Sequence, residues 1–121
     1  MLHSVQKLCA YIPFFESTTP ESIYNLSLPY PEYDQTLYDF IADASVSKLM
    51  CTDYVEVIEK QGLNSPSKMV EAIDRADLNV LRAILTWVIR SERFCEGSWA
   101  TALEEGVFLK ILKRLQQLYP V

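Results

Sequence analysis

The sequence predicts an all-α fold, a compact bundle of five to seven helices around a central buried helix at about residues 78–94, and three observations carry that expectation. The stretch from Leu78 to Phe94, LNVLRAILTWVIRSERF, contains neither Gly nor Pro and is apolar in nearly every direction about a helix axis, as a helix surrounded by others must be. The 121 residues include only three glycines, no hairpin dipeptide such as Asn-Gly, and no sustained alternation of period two. Elsewhere apolar residues recur at three- and four-residue spacing, behind starts in which Ser or Thr precedes Pro.

In chain order, Val5, Leu8, Cys9 and Ile12 place a first amphipathic helix over 2–12, which Pro13 should end or kink, with Phe14 and Phe15 as an apolar exit. Thr19 before Pro20 reads as an N-cap with proline at the first helical position, opening a single turn through Asn25. Residues 26–32, with Pro29 and Pro31, read as a connecting loop and the most flexible segment. Leu37, Phe40, Ile41 and Ala44 then share one face of a helix that begins at Tyr33 and frays at 45–47. Asp53 and Glu56 have capping-box spacing, and the helix they open should stop at Gly62 with Leu63 folding back.

Ser65-Pro66 repeats the cap-plus-proline start for a helix carrying Met69, Val70 and Ile73, with a break expected between Asp74 and Asp77. The long apolar run follows. After Phe94, Gly97 reads as a helix terminator, Ser98 should cap a short helix through Glu105, and Gly106 should end that one. The last helix, 107–118, buries Phe108, Ile111, Leu112 and Leu115 and turns Lys110, Lys113, Arg114, Gln116 and Gln117 to water. The whole of 1–121 is read as one helical domain, in the size range of a single hydrophobic core.

With hydrophobic residues at 50%, the chain is too apolar for disorder. A net charge of −5 disfavours direct nucleic-acid binding and anionic membranes unless the charge is segregated. It is segregated: two basic residues stand against nine acidic ones through residue 59, and nine against seven afterwards. The plainest consequence is attraction between the halves, as surface pairs. Cys9, Cys51 and Cys95 are odd in number and widely spaced, which suggests neither a disulfide framework nor a metal clip. No apolar run suits a signal peptide or approaches the roughly 20 residues of a membrane span. A soluble cytoplasmic protein without metal or cofactor is expected.

The central helix has one polar stripe. Asn79, Arg82, Thr86, Arg90 and Arg93 succeed one another at steps of three or four and so share a face. Just beyond lies RSERFCEGSWATALEE, residues 90–105. Arginine suits bidentate contact with carboxylate or phosphate, so Arg82, Arg90, Arg93, Glu96 and Trp99 are the candidate ligand-binding residues: a pocket floored by an aromatic ring and rimmed by guanidinium groups. The plainer alternative is that these arginines pair with carboxylates of the acidic half while Trp99 plugs the core. Cys95, beside Glu96 and close to Glu92, lacks the positive field that activates a thiolate and is expected buried and inert. His3, the single histidine, is expected in water. Glycine-rich phosphate loops, HExxH and GxSxG are all absent, so no catalytic residue is assigned.

The run from Asn64 to Leu115, with NSPSKMVEAID, ADLNVLRAILTWVIR, ERFCEGSW and GVFLKILKRL, and the earlier YDQTLYDFI, resembles a small uncharacterised family of bacterial and bacteriophage proteins known as a domain of unknown function. That resemblance implies a bacterial or phage setting, with a role in defence or counter-defence as a guess from context, and transfers no activity. Two function classes remain open beside each other. In one, a non-catalytic protein holds an anionic ligand, a nucleotide for example, on the arginine stripe. In the other, an acidic surface bearing Tyr24, Tyr30, Tyr33, Tyr38 and Tyr54 caps a basic, nucleic-acid-binding protein partner. A small hydrolase working through Glu92, Glu96 and Glu105 is a third expectation, and either binding mode is compatible with a homo-oligomer formed through Trp87 or the last helix.

Overall fold

Prolines and glycines set the helix boundaries. In a computed structural model, which describes residues 1–25 and 31–120, the described chain forms α1 (Leu2–Cys9), α2 (Ile12–Ser17), α3 (Pro20–Ile23), α4 (Gln35–Ser45), α5 (Tyr54–Lys60), α6 (Pro66–Ala72), α7 (Leu78–Ser91), α8 (Ser98–Glu104) and α9 (Val107–Leu118). A 3₁₀ turn, Ile73–Arg75, separates α6 from α7, in the interval where the two aspartates imply a break. The helical bundle is therefore as expected, cut into more and shorter pieces.

Several boundaries follow directly from local chemistry. Ser65 Oγ accepts from Lys68 N at 3.3 Å ahead of Pro66, and Asp77 Oδ1 accepts from Val80 N at 2.9 Å at the start of α7. At the end of α5, Gly62 takes φ +69°, Gly62 N donates to Glu59 O, and Leu63 N donates to Ile58 O at 3.1 Å as its side chain returns to the core. Gly106 (φ +70°) makes the corner between α8 and α9.

Other expectations are corrected. The first helix ends at Cys9 rather than at 12, and Pro13 lies in the first turn of α2, where its missing N–H has no intrahelical role. Phe14 and Phe15 are thus helical. Phe15 stacks on Phe108 at 5.7 Å and meets Phe40 edge-on at 5.2 Å. Asp53 precedes α5 but its carboxylate makes no capping bond. Tyr24–Asn25 (β1) and Glu32–Tyr33 (β2) form a two-residue antiparallel pair, Tyr24 opposite Tyr33. A pair so short leaves no periodicity to read. The remainder of the expected 26–32 loop, apart from Pro31, lies outside the described residues.

The middle of the bundle is α7, packed against α4, α5, α8 and α9, with α9 crossing to α1, α2 and the 3₁₀ turn. Leu81, Ala83, Ile84, Leu85 and Val88 of α7 and Ile111, Leu112 and Leu115 of α9 are essentially solvent-free. Truncating a residue such as Leu112 to Ala would cost about 2–5 kcal/mol, the lost burial plus the void left behind. This core fixes α7 as a rigid post, and the candidate residues stand along it and just past its end.

Candidate functional site

Along α7 the polar stripe divides. Thr86 is fully buried, its Oγ1 donating to Arg82 O at 2.8 Å and accepting from Cys51 N at 3.1 Å. The Arg82 side chain reaches the same segment, Nη2 donating to Met50 O at 3.0 Å and Nε to Leu49 O at 3.4 Å. These contacts pin the α4–α5 connection onto α7, because buried carbonyl and amide groups need partners. Arg82 has its guanidinium engaged there, away from Arg93 and Trp99.

Past this point the helix runs out. It closes at Ser91, earlier than residue 94, in tight turns: Arg93 N donates to Arg90 O, and both Phe94 N and Cys95 N donate to Ser91 O. Gly97 then takes φ +87°, a left-handed conformation that favours glycine, and α8 begins. Glu92 organises the corner. Its Oε1 accepts from Trp99 N at 2.9 Å and Tyr33 Oη at 3.0 Å, and its Oε2 accepts from Gly97 N at 2.9 Å. A carboxylate at the start of a helix meets unpaired N–H groups, and charge-assisted bonds of this kind are the strong ones. Burial, then the bond to Glu92, raises the Tyr33 phenol well above the usual tyrosine range, so it stays a donor at any physiological pH.

The Trp99 side chain is held by three contacts. Its Nε1 donates to Val88 O at 3.1 Å, and its ring meets Tyr33 and Tyr38 edge-on at 5.4 and 6.4 Å. The Arg90 guanidinium lies 5.5 Å from the centre of the Tyr54 ring, a cation–π contact. Among the described residues, no carboxylate forms an ion pair with Arg90 or Arg93, and the Arg93 side chain is exposed. The pairing of these arginines with the acidic half, the plainer expectation, is not what the structure contains. One ion pair, Lys113 with Glu16, does join the two halves, at 3.8 Å and in solvent.

Two clefts flank Arg90. The first, about 440 Å³, is lined by Arg90, Arg93, Trp99, Glu92, Met50, Ile89, Ile41 and Ser45. The second, about 450 Å³, lies between α6, the end of α7 and α8, and is walled mainly by apolar side chains including Val70, Trp87, Val88, Phe94, Ala102 and Val107. Arg90, Ser91, Ser98 and Thr101 contribute polar groups to it, and Glu96 and Glu105 stand exposed on its lining. Both volumes are in the range of small-molecule sites.

Of the five candidate residues, Arg90, Arg93 and Trp99 are brought to one cleft. Glu96 belongs to the second, and Arg82 to neither. Glu92, an acid–base candidate in the hydrolase expectation, is instead saturated by backbone and Tyr33 donors. Cys95 is exposed rather than buried, because the turns after Ser91 carry it outward, and it lines the second cleft. The Tyr24 phenol donates to Glu104 and is pushed up to about 12, mainly by that bond, while Tyr54 lies beneath Arg90. Tyr38 remains exposed, and Tyr30 lies outside the described residues.

Sequence reasoning missed Met50 and Ile41 as lining residues, since they come from elements remote in the chain, and the cleft around Trp87; Tyr54, expected on a partner surface, instead lines that cleft beneath Arg90. It also missed the role of Glu92, for which a signal existed: a glutamate five residues before Gly97, at the start of a short helix. Among the described residues, no three His, Cys, Asp or Glu side chains are grouped to hold a metal, and no helix is long and apolar enough to cross a membrane. Neither curated proteins nor solved structures give a significant match. From residue 1 to residue 121, the chain belongs to a family of unknown function, DUF6508.

Proposed function

We propose that this protein is a non-catalytic binding protein that holds an anionic ligand, such as a nucleotide, at Arg90, Arg93 and Trp99. One observation carries the reading: the two guanidinium groups and the indole line a single cleft of about 440 Å³, and among the described residues neither arginine is neutralised by a carboxylate. An arginine left without a counter-charge beside an aromatic ring is poised for phosphate or carboxylate, because its planar fork matches two oxygens at once. Glu92 lies in the same wall, but three donors already draw on its charge.

Isothermal titration against ATP and against inorganic phosphate tests the reading. Saturable binding is expected to weaken at least tenfold in Arg93→Ala, whose exposed side chain makes no contact on which the fold depends. Equal affinity in the variant, or no saturable heat with either anion, would overturn it.

A further inference from the structure

Arg90 lines both clefts, and this shared residue points to the ligand's shape. Resting on the reading above, we infer that the ligand is an amphipathic anion, with its charged head at Arg90 and Arg93 and a sizeable apolar body in the neighbouring cleft beside Trp87. The second cleft is walled chiefly by apolar groups from α6, α7, α8 and α9 and from the turn after α7, at about 450 Å³. An apolar cavity of that size next to a cation suits a molecule with both characters, since burying the body adds affinity that the head alone lacks.

Phe94 strengthens the assignment. It sits on the lining of the apolar cleft with 82% of its surface exposed, the largest exposed apolar ring among the described residues. An apolar body in the cleft gives that ring a surface to cover. Glu96 and Glu105 also line the cleft, and both are exposed, so solvent and salt screen their repulsion of an anionic head, while Arg90 is partly enclosed over Tyr54.

The test compares inorganic phosphate, octyl phosphate below its micellar concentration, and octanol, in the wild-type chain and in Thr101→Trp. Thr101 is exposed and lines the apolar cleft, so the indole fills that space without disturbing the core. Octyl phosphate is expected to bind at least tenfold more tightly than either phosphate or octanol. Thr101→Trp should remove that advantage and leave phosphate binding unchanged. Phosphate binding with no gain from the octyl chain would overturn this inference and leave the anion reading standing. A gain that survives Thr101→Trp would overturn it equally, by placing the body elsewhere. Failure of every anion would instead sink the anion reading, and this inference with it.

Discussion

The two ends of the polar stripe on α7 resemble each other in sequence and differ in state. At Arg82 and Thr86 the side chains are bonded within the protein: Arg82 Nε and Nη2 and Thr86 Oγ1 all meet backbone groups of the α4–α5 connection, and Thr86 Oγ1 also donates to Arg82 O. At Arg90 and Arg93, two turns further on, one guanidinium rests on a tyrosine ring and the other meets water. The same residue type, at Arg82 and Arg90 on α7 and at Arg93 just past its end, therefore does two jobs, and the difference lies in what the rest of the chain brings opposite it. Between Leu49 and Cys51 the α4–α5 connection lies close enough to be bound; beyond Ile89 the wall recedes into clefts. Spacing alone finds such a stripe but does not say which part is closed.

Substitutions sharpen that contrast. The largest effect is expected at Glu92, where the closed and open parts meet: Glu92→Ala leaves the Gly97 and Trp99 amides and the Tyr33 hydroxyl without their acceptor, and should lower unfolding free energy by about 3 kcal/mol in urea titration. A loss below about 1 kcal/mol would mean that water replaces the carboxylate. Next comes Thr86→Val, which keeps the shape at a fully buried position but strands the part-buried Cys51 amide; about 1–3 kcal/mol should be lost. Arg93→Ala, at the open end, should change stability by less than about 0.5 kcal/mol. Were the order of Thr86 and Arg93 reversed, the division of the stripe would fail.

A smaller effect concerns pH. The Tyr11 hydroxyl donates to Asp43 at 2.6 Å. Burial and that bond raise the Tyr11 pKa from 10.0 to about 12, and the same bond lowers that of Asp43 from 3.8. A raised pKa stabilises fully below pH 10 and is lost as pH climbs through about 12; a lowered carboxyl pKa stabilises above pH 3.8 and is lost as pH falls below it. Tyr11→Phe should flatten both flanks of the stability-against-pH curve. An unchanged alkaline flank in denaturation at pH 9–12 would assign that loss to other groups.

Helix starts and stops were legible wherever a single residue dictates backbone geometry. Gly62, Gly106 and the Ser65-Pro66 pair act locally, and the last helix spans the predicted 107–118. Boundaries that depend on what packs nearby were not: the break before Tyr11 and the strand pair at Tyr24 and Tyr33 answer to contacts with α4, α9 and one another. The candidate site divides in the same way. Arg90, Arg93 and Trp99 come from one short stretch, and the turns after Ser91 together with the left-handed Gly97 fold that stretch so that all three line one cleft. Tyr54, Met50 and Trp87 reach the clefts from different elements, and no spacing in the chain announces that meeting.

The hydrogen bond from Tyr33 to Glu92 spans 59 positions of sequence. Closing so long a loop costs configurational entropy, about 1.5 RT for each e-fold in length, before any bond is made. The corner that orients Trp99 is therefore completed only when the acidic N-terminal half has docked on α7 and α8, and local helix formation in residues 78–118 does not suffice. Occupancy of the arginine cleft by the proposed ligand would then report on the finished fold rather than on the helices alone.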